Sequence, residues 1–154
     1  MMRKTIFALI PLTLGYYFLA GAAAQASPSD DAEHNRRLVV DFYNAFFNKH
    51  QVAEASKVVD SSYKQHNPQV PDGKAPFVSF FTDYFKKNPD ATSQILRSAV
   101  DGDLVWLHNH SKSGPDDRGR AIVNIFRVKD GKIVEHWDVI QAVPEQAANG
   151  NSMF

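Results

Sequence analysis

The stretch Asp130-Gly131-Lys132-Ile133-Val134-Glu135-His136-Trp137-Asp138-Val139-Ile140 is a turn signal feeding a strand that carries two ionisable groups among apolar neighbours. Side chains alternate faces along a strand, so the His136 imidazole and the Asp138 carboxylate, two residues apart, point the same way. Burying both on an Ile/Val face is costly unless they are hydrogen-bonded or put to use, which makes this strand the first place to look for chemistry.

Working back through the turn, Val128 to Lys132 suits a three-residue hairpin loop with Gly131 in the left-handed position of a bulge. That register sets Asn124 opposite His136 and Ile122 opposite Asp138. One face of the hairpin then carries Ile122, Asn124, Phe126, Val134, His136, Asp138 and Ile140, an apolar wall with three clustered polar groups. Small-molecule sites are usually lined this way. A two-residue turn would instead move Asn124 to the other face. The reverse face, Val123, Ile125, Arg127, Ile133, Glu135, Trp137, Val139 and Gln141, is too apolar to be fully solvated. It predicts a homodimer interface anchored by Trp137, with the chain's own tail from Pro144 to Phe154 as the alternative cover.

The rest of the chain predicts helices first and strands afterwards. A helix over about Asp31 to Asn48 is capped by Ser29 or Asp30, and Leu38, Val39, Phe42, Ala45 and Phe46 recur at the spacing of a one-sided helix. A shorter helix follows from Val52 to Val59, then an extended segment from Tyr63 to His66 that ends at Asn67-Pro68. After Pro71-Asp72-Gly73, the residues Phe77, Phe80, Phe81, Tyr84 and Phe85 keep helical spacing up to Asn88-Pro89. This aromatic stripe belongs to the core and also walls a cavity, with Phe81 expected to touch a ligand. From Ala91 the period becomes two, predicting strands at Thr92 to Val100, Leu104 to His110, Ala121 to Val128 and Lys132 to Ala142. The expected fold is therefore α+β, with N-terminal helices packed on a curved, meandering antiparallel sheet.

Composition narrows the function classes. Seventeen basic residues balance seventeen acidic ones, so no basic footprint argues for nucleic acid. Arg3 and Lys4 precede an apolar run from Ile6 to about Ala20, and Ala24 and Ala26 form an Ala-x-Ala cleavage site. This predicts a signal peptide at 1–26, a domain at 27–154, periplasmic or secreted location, and no membrane association after cleavage. The run, interrupted by Pro11, is short of the roughly 20 apolar residues that a span needs. No cysteine is present, which excludes thiol nucleophiles, disulfides and thiolate metal sites.

The Tyr63-Lys64-Gln65-His66-Asn67-Pro68 segment, the Phe-rich helix and the terminal Gly131-Lys132-Ile133-Val134-Glu135-His136-Trp137-Asp138 motif carry a resemblance that spans roughly Asn35 to Phe154. In this arrangement the chain resembles the SnoaL-like polyketide cyclases of the nuclear transport factor 2-like superfamily. The resemblance implies a cone of helices on a curved sheet. It also implies an aspartate two residues after a histidine acting as acid/base in a cofactor-free aldol condensation, which here means Asp138 and His136, and it implies no metal. On the preceding strand the family's polar pocket positions correspond to Ile122 and Asn124, and Ile122 departs from the hydrogen-bonding side chain expected there. The resemblance also suggests that His66 lies at the pocket mouth.

Proton abstraction next to a carbonyl fits these residues. An Asp walled by Ile122 and Ile140 has its charged form disfavoured, which moves a base toward neutrality, and the enolate needs a donor such as His136, His66 or Asn124. The sequence thus predicts a cofactor-independent lyase or isomerase acting on a small apolar carbonyl compound. Asp138 and His136 are the catalytic pair, and His66, Asn124, Ile122, Phe126, Ile140 and Phe81 contact the substrate. A non-catalytic exported binder of an apolar small molecule is the alternative. A third possibility is a metal-dependent hydrolase, because His108 and His110 form a His-x-His pair that would bind a metal only if His136 or Asp138 converged on it.

Overall fold

The computed structural model describes residues 28–154, so the leader at 1–26 lies outside the described residues, and Ser29 and Asp30, expected as helix caps, fall inside the first helix instead. Helix α1 (Pro28–Tyr43) runs on into a π-helical turn at Asn44–Asn48. Its stripe buries Val39, Phe42 and Phe46, as the spacing predicts, and Tyr43 as well. The wider turn ends at Asn48, whose amide pairs with both backbone groups of Ser93, accepting from the N–H at 2.7 Å and donating to the C=O at 3.1 Å. One side chain thus fastens the helix end to an edge of the sheet.

Helix α2 is a single turn (Val52–Ala55) followed by a 3₁₀ turn at Ser56–Val58. It is shorter than expected because Val59, β-branched, starts strand β1 (Val59–Gln65) and is buried there. Helix α3 (Lys74–Lys87) carries the aromatic stripe. Phe77 and Phe85 point into the core, and Phe77 stacks on Phe46 with ring centroids 4.7 Å apart.

Strands β2 (Thr92–Asp101), β3 (Leu104–Lys112), β4 (Arg120–Lys129) and β5 (Lys132–Ala142) form an antiparallel meander. The sheet is not wholly antiparallel. Strand β1 adds beside β5 in parallel, giving the order β1-β5-β4-β3-β2. A parallel neighbour needs a long connection, and here everything from α3 to β5 supplies it. Val105, Leu107, Phe126, Val128 and Ile133 meet the helices on one face of the sheet.

The β4–β5 hairpin differs from expectation in a way that decides the site. It closes on two residues, not three. Lys129 pairs with Lys132, and Asp130 and Gly131 take φ of 50° and 69°, the left-handed pair that a tight hairpin turn requires. Alone, this turn would send Asn124 to the face opposite His136 and Asp138. However, Val128 pairs with Ile133 and Arg127 with Glu135, so Val134 is an extra residue without a partner on β4. This bulge advances the register by one residue. Asn124 then faces Asp138, Phe126 faces His136, and Ile122 faces Ile140. The three polar groups share a face after all. The bulge also exchanges two apolar positions, because Ile133, expected outside, is fully buried, whereas Val134 is only half-buried.

Deleting Val134 is expected to remove the bulge while keeping Arg127 opposite Glu135 and Asn124 opposite Asp138, so that His136 and Asp138 still face the cavity. That variant should keep cooperative thermal unfolding and near-ultraviolet circular dichroism, whereas one alanine inserted between Glu135 and His136 should turn His136 and Asp138 outward and abolish both. An insertion variant that unfolds cooperatively at the wild-type temperature would contradict the role given to the register.

Candidate active site

The concave face of the sheet and helix α3 enclose a cavity of about 220 Å³. That is below the about 300–1,000 Å³ of pockets for drug-sized ligands and holds on the order of seven water volumes. Phe47, Phe77, Phe81, Phe85, Ile122 and Ile140 supply its apolar wall, and Phe80, 58% exposed, stands at its edge. Asp138, His136 and Asn124 open onto it, together with Tyr43, Ser93, Gln65 and Asn67.

The structure separates His136 from Asp138 chemically although they share a face. The carboxylate accepts from Asn67 Nδ2 through both oxygens, at 2.9 and 3.0 Å, and this is its side-chain partner among the described residues. Asn67 Oδ1 in turn accepts the Gln69 N–H at 2.9 Å, which fixes the amide so that its NH₂ must face Asp138. A single amide group leaves each carboxylate oxygen with acceptor capacity toward the cavity.

His136 belongs to a buried network instead. Its Nδ1 lies 2.9 Å from Gln65 Oε1 and its Nε2 lies 3.0 Å from Asn124 Oδ1. Burial pushes the ring's pKa down to about 3, and the nearby His66 adds to the shift. The ring is therefore neutral and can donate only once. Gln65 Oε1 also accepts the Asn67 N–H at 3.0 Å, so it is fixed as an acceptor and the ring donates to it from Nδ1. Nε2 must then accept, which requires the Asn124 amide to present its NH₂. A matching turn of Asn109 directs its Nδ2, the one buried side-chain nitrogen or oxygen left without a partner among the described residues, at the Asn124 oxygen. Tyr43 Oη, 2.8 Å from Ser93 Oγ and 3.4 Å from Asn124 Nδ2, ends the chain. Burial raises the Tyr43 phenol well above its usual range, so it remains protonated and is a potential donor beside the cavity.

Not every expected residue is here. Phe126 does not line the cavity; it is buried beneath it with its ring 4.7 Å from His136. His66 lies on the outer face, where its ring stacks on Trp137 at 4.5 Å and its Nε2 is 2.8 Å from Glu135. The reason is alternation: Tyr63 and Gln65 face inward on β1, so His66 faces outward. Asn67 and Gln65 are the residues that sequence reading missed, and the same period-two count from Tyr63 finds both.

Trp137 is clamped between His66 and Arg127, whose guanidinium carbon is 5.6 Å from the indole centroid. Val139, Trp106 and Val123 stay exposed on this outer face of the single chain. His108 and His110 flank the buried Asn109 and so lie on the outer face too, where the Phe154 ring stacks 4.1 Å from His110. They do not converge with His136 or Asp138, and among the described residues no three His, Cys, Asp or Glu side chains are grouped to hold a metal.

The sequence matches the SnoaL-like polyketide cyclase family over residues 37–148. The chain belongs to this family. Among solved structures it is similar to a candidate ketosteroid isomerase from Kribbella flavida, at 19% identity and a TM-score of 0.64 over 77% of this chain and 86% of that one. A SnoaL-like protein of unknown function from Burkholderia thailandensis is 14% identical, with a TM-score of 0.62 over 71% and 96% of the two chains. A nuclear transport factor 2-like protein of unknown function from Mesorhizobium loti is 21% identical, with a TM-score of 0.61 over 73% and 95%. At these identities the likeness carries the fold, the nuclear transport factor 2-like α+β cone, and not the chemistry. A search among curated proteins finds no match.

The neutral His136 has a measurable consequence. Above pH 6.5, the ring's ordinary value, it is uncharged both folded and unfolded and contributes no pH dependence. Below that, the unfolded chain binds a proton that the folded chain refuses. Stability should therefore fall as pH drops toward about 3, by up to about 1.4 kcal/mol per pH unit from this group. Urea titrations between pH 4 and 6.5 should show a shallower slope in His136→Gln, and an unchanged slope would contradict the assignment.

Proposed function

We propose that this SnoaL-like protein is a cofactor-independent isomerase or lyase that removes a proton next to the carbonyl of a small apolar compound. The observation that carries this reading is the Asp138 carboxylate, held by one amide at the edge of an aromatic and aliphatic cavity with acceptor capacity left over. A carboxylate so placed meets the geometric need of a general base, and the apolar wall keeps competing water away.

The reaction assigns each group a task. A substrate seated against Phe81, Ile122 and Ile140 presents an acidic C–H to Asp138, which takes the proton. The resulting enolate oxygen needs a neutral donor, and the Tyr43 phenol and the Asn124 amide stand at the cavity wall for it. Asp138 then returns the proton to a different carbon in an isomerisation, or to the new alkoxide in an aldol closure. His136 is better suited to holding Asn124 and Gln65 in place than to touching the substrate, because both its nitrogens are occupied. The same sealing favours the non-catalytic binder as the second reading, since fewer side chains remain to turn over a ligand.

Deuterium uptake from solvent into the acidic carbon of small aryl ketones should be catalysed by the protein. It should fall at least about a hundredfold in Asp138→Asn with the fold retained, the loss typical of a removed general base. In Asn67→Ala, where the carboxylate loses its tether, kcat should fall while KM changes little. Exchange at the wild-type rate in Asp138→Asn would overturn the reading.

A further inference from the structure

The cavity is asymmetric in charge along its length. Asp138 is the carboxylate in its lining, whereas Arg120 and Lys112 stand together where β3 and β4 end. Arg120 pairs across the sheet with Ala142, and Asn124 with Asp138, so four residues of strand separate the two levels. That is about 13 Å of backbone, enough for a one-ring molecule to have its two ends in different surroundings.

Among the described residues neither Arg120 nor Lys112 is taken up by a close ion pair, although the Asp117 carboxylate lies near enough to Arg120 to feel its charge. Lys112 Nζ donates to the Pro115 carbonyl at 2.9 Å. The loop that carries Arg120 is built to hold still. Asp117 accepts from the Ser113 N–H and hydroxyl and from the Gly119 N–H, all at 2.8 Å, and those bonds bring its carboxyl down to about 2. Gly119 has φ of 84°, and a Cβ there would collide with the Ser111 carbonyl oxygen, so the chain enters β4 through a position that only glycine fits. Burial holds the Tyr84 phenol above its usual range, and the Arg120 guanidinium partly offsets this, which sets the arginine beside the aromatic wall.

We propose that the substrate is a small amphipathic anion, with an apolar one-ring body, an acidic C–H at the Asp138 end and a carboxylate or similar group at Arg120. This deepens the carbonyl chemistry proposed above and rests on that reading only for the reactive end. Arg120 offers a planar fork that matches a carboxylate, and its charge is opposite to that of the anion. A ligand bearing its charge at the Asp138 end would meet repulsion, so the polarity also fixes the orientation in which it binds.

Calorimetric titration with two probes of the same shape tests this: benzylacetone bearing a para-carboxylate and benzylacetone bearing a para-methyl group. The carboxylate should bind at least about tenfold more tightly at low salt, the preference should shrink as salt is raised, and Arg120→Gln should erase it while leaving the methyl probe unaffected. Equal binding of the two probes, binding of neither, or a preference that survives in Arg120→Gln would overturn the proposal. Deuterium exchange on the same complexes separates the two claims: a carboxylate preference without exchange would remove the catalytic reading and keep the anion site.

Discussion

One unpaired residue in β5 determines where the polar groups of this protein go. The tight turn at Asp130-Gly131 and the strand alternation on either side of it cannot by themselves put Asn124, His136 and Asp138 on one face. The bulge at Val134 reconciles them, and each later feature of the site inherits its position from that extra residue. Because the bulge lies next to the turn, it costs the ladder little pairing while re-aiming the whole remainder of β5. Parallel strand β1 registers on the strand so re-aimed, with Gln65 beside His136, and brings Gln65 and Asn67 to the two ionisable side chains from the far side.

The result is a division between a closed polar core and an open carboxylate. Five side chains, Gln65, His136, Asn124, Asn109 and Tyr43, bond one another at the cavity floor, and burial keeps the imidazole neutral. A connected network of this kind is rigid, since displacing any member leaves another buried and unpaired. Asp138 sits beside it with a single fixed amide and faces the space that Ile122 walls. Ile122 makes that part of the wall apolar, and the charged side chains of the lining are Asp138 at one level and Arg120 and Lys112 at another.

Much of the fold was legible because its signals are local. The change from helical to period-two spacing at Ala91, the Phe77 to Phe85 stripe and the Asp-Gly turns locate α3 and the four-strand meander to within about two residues. What was not legible depends on long-range pairing or on a single irregularity. Nothing local in Val59–Gln65 announces that it lies parallel to a strand about seventy residues away. Val134 reads as an ordinary strand residue, so the bulge has no sequence mark, and the three-residue turn reached the right face for Asn124 through the wrong pairing. His66 was weighed by its chemistry, whereas its place was set by alternation from Tyr63, which assigns it to Glu135 and Trp137 on the outer face. Asn67, an amide without obvious chemistry of its own, takes the position beside Asp138 instead.

The arrangement of the site rests on an uncharged His136 held between Gln65 and Asn124 on the bulged strand. Long-range proton–nitrogen correlation spectra of the histidine rings at pH 5 address it directly. The account predicts for His136 a neutral ring with its proton on Nδ1, slow to exchange. A His136 signal that titrates as an imidazolium near its ordinary value would contradict the buried network and the placement of Asp138 built upon it.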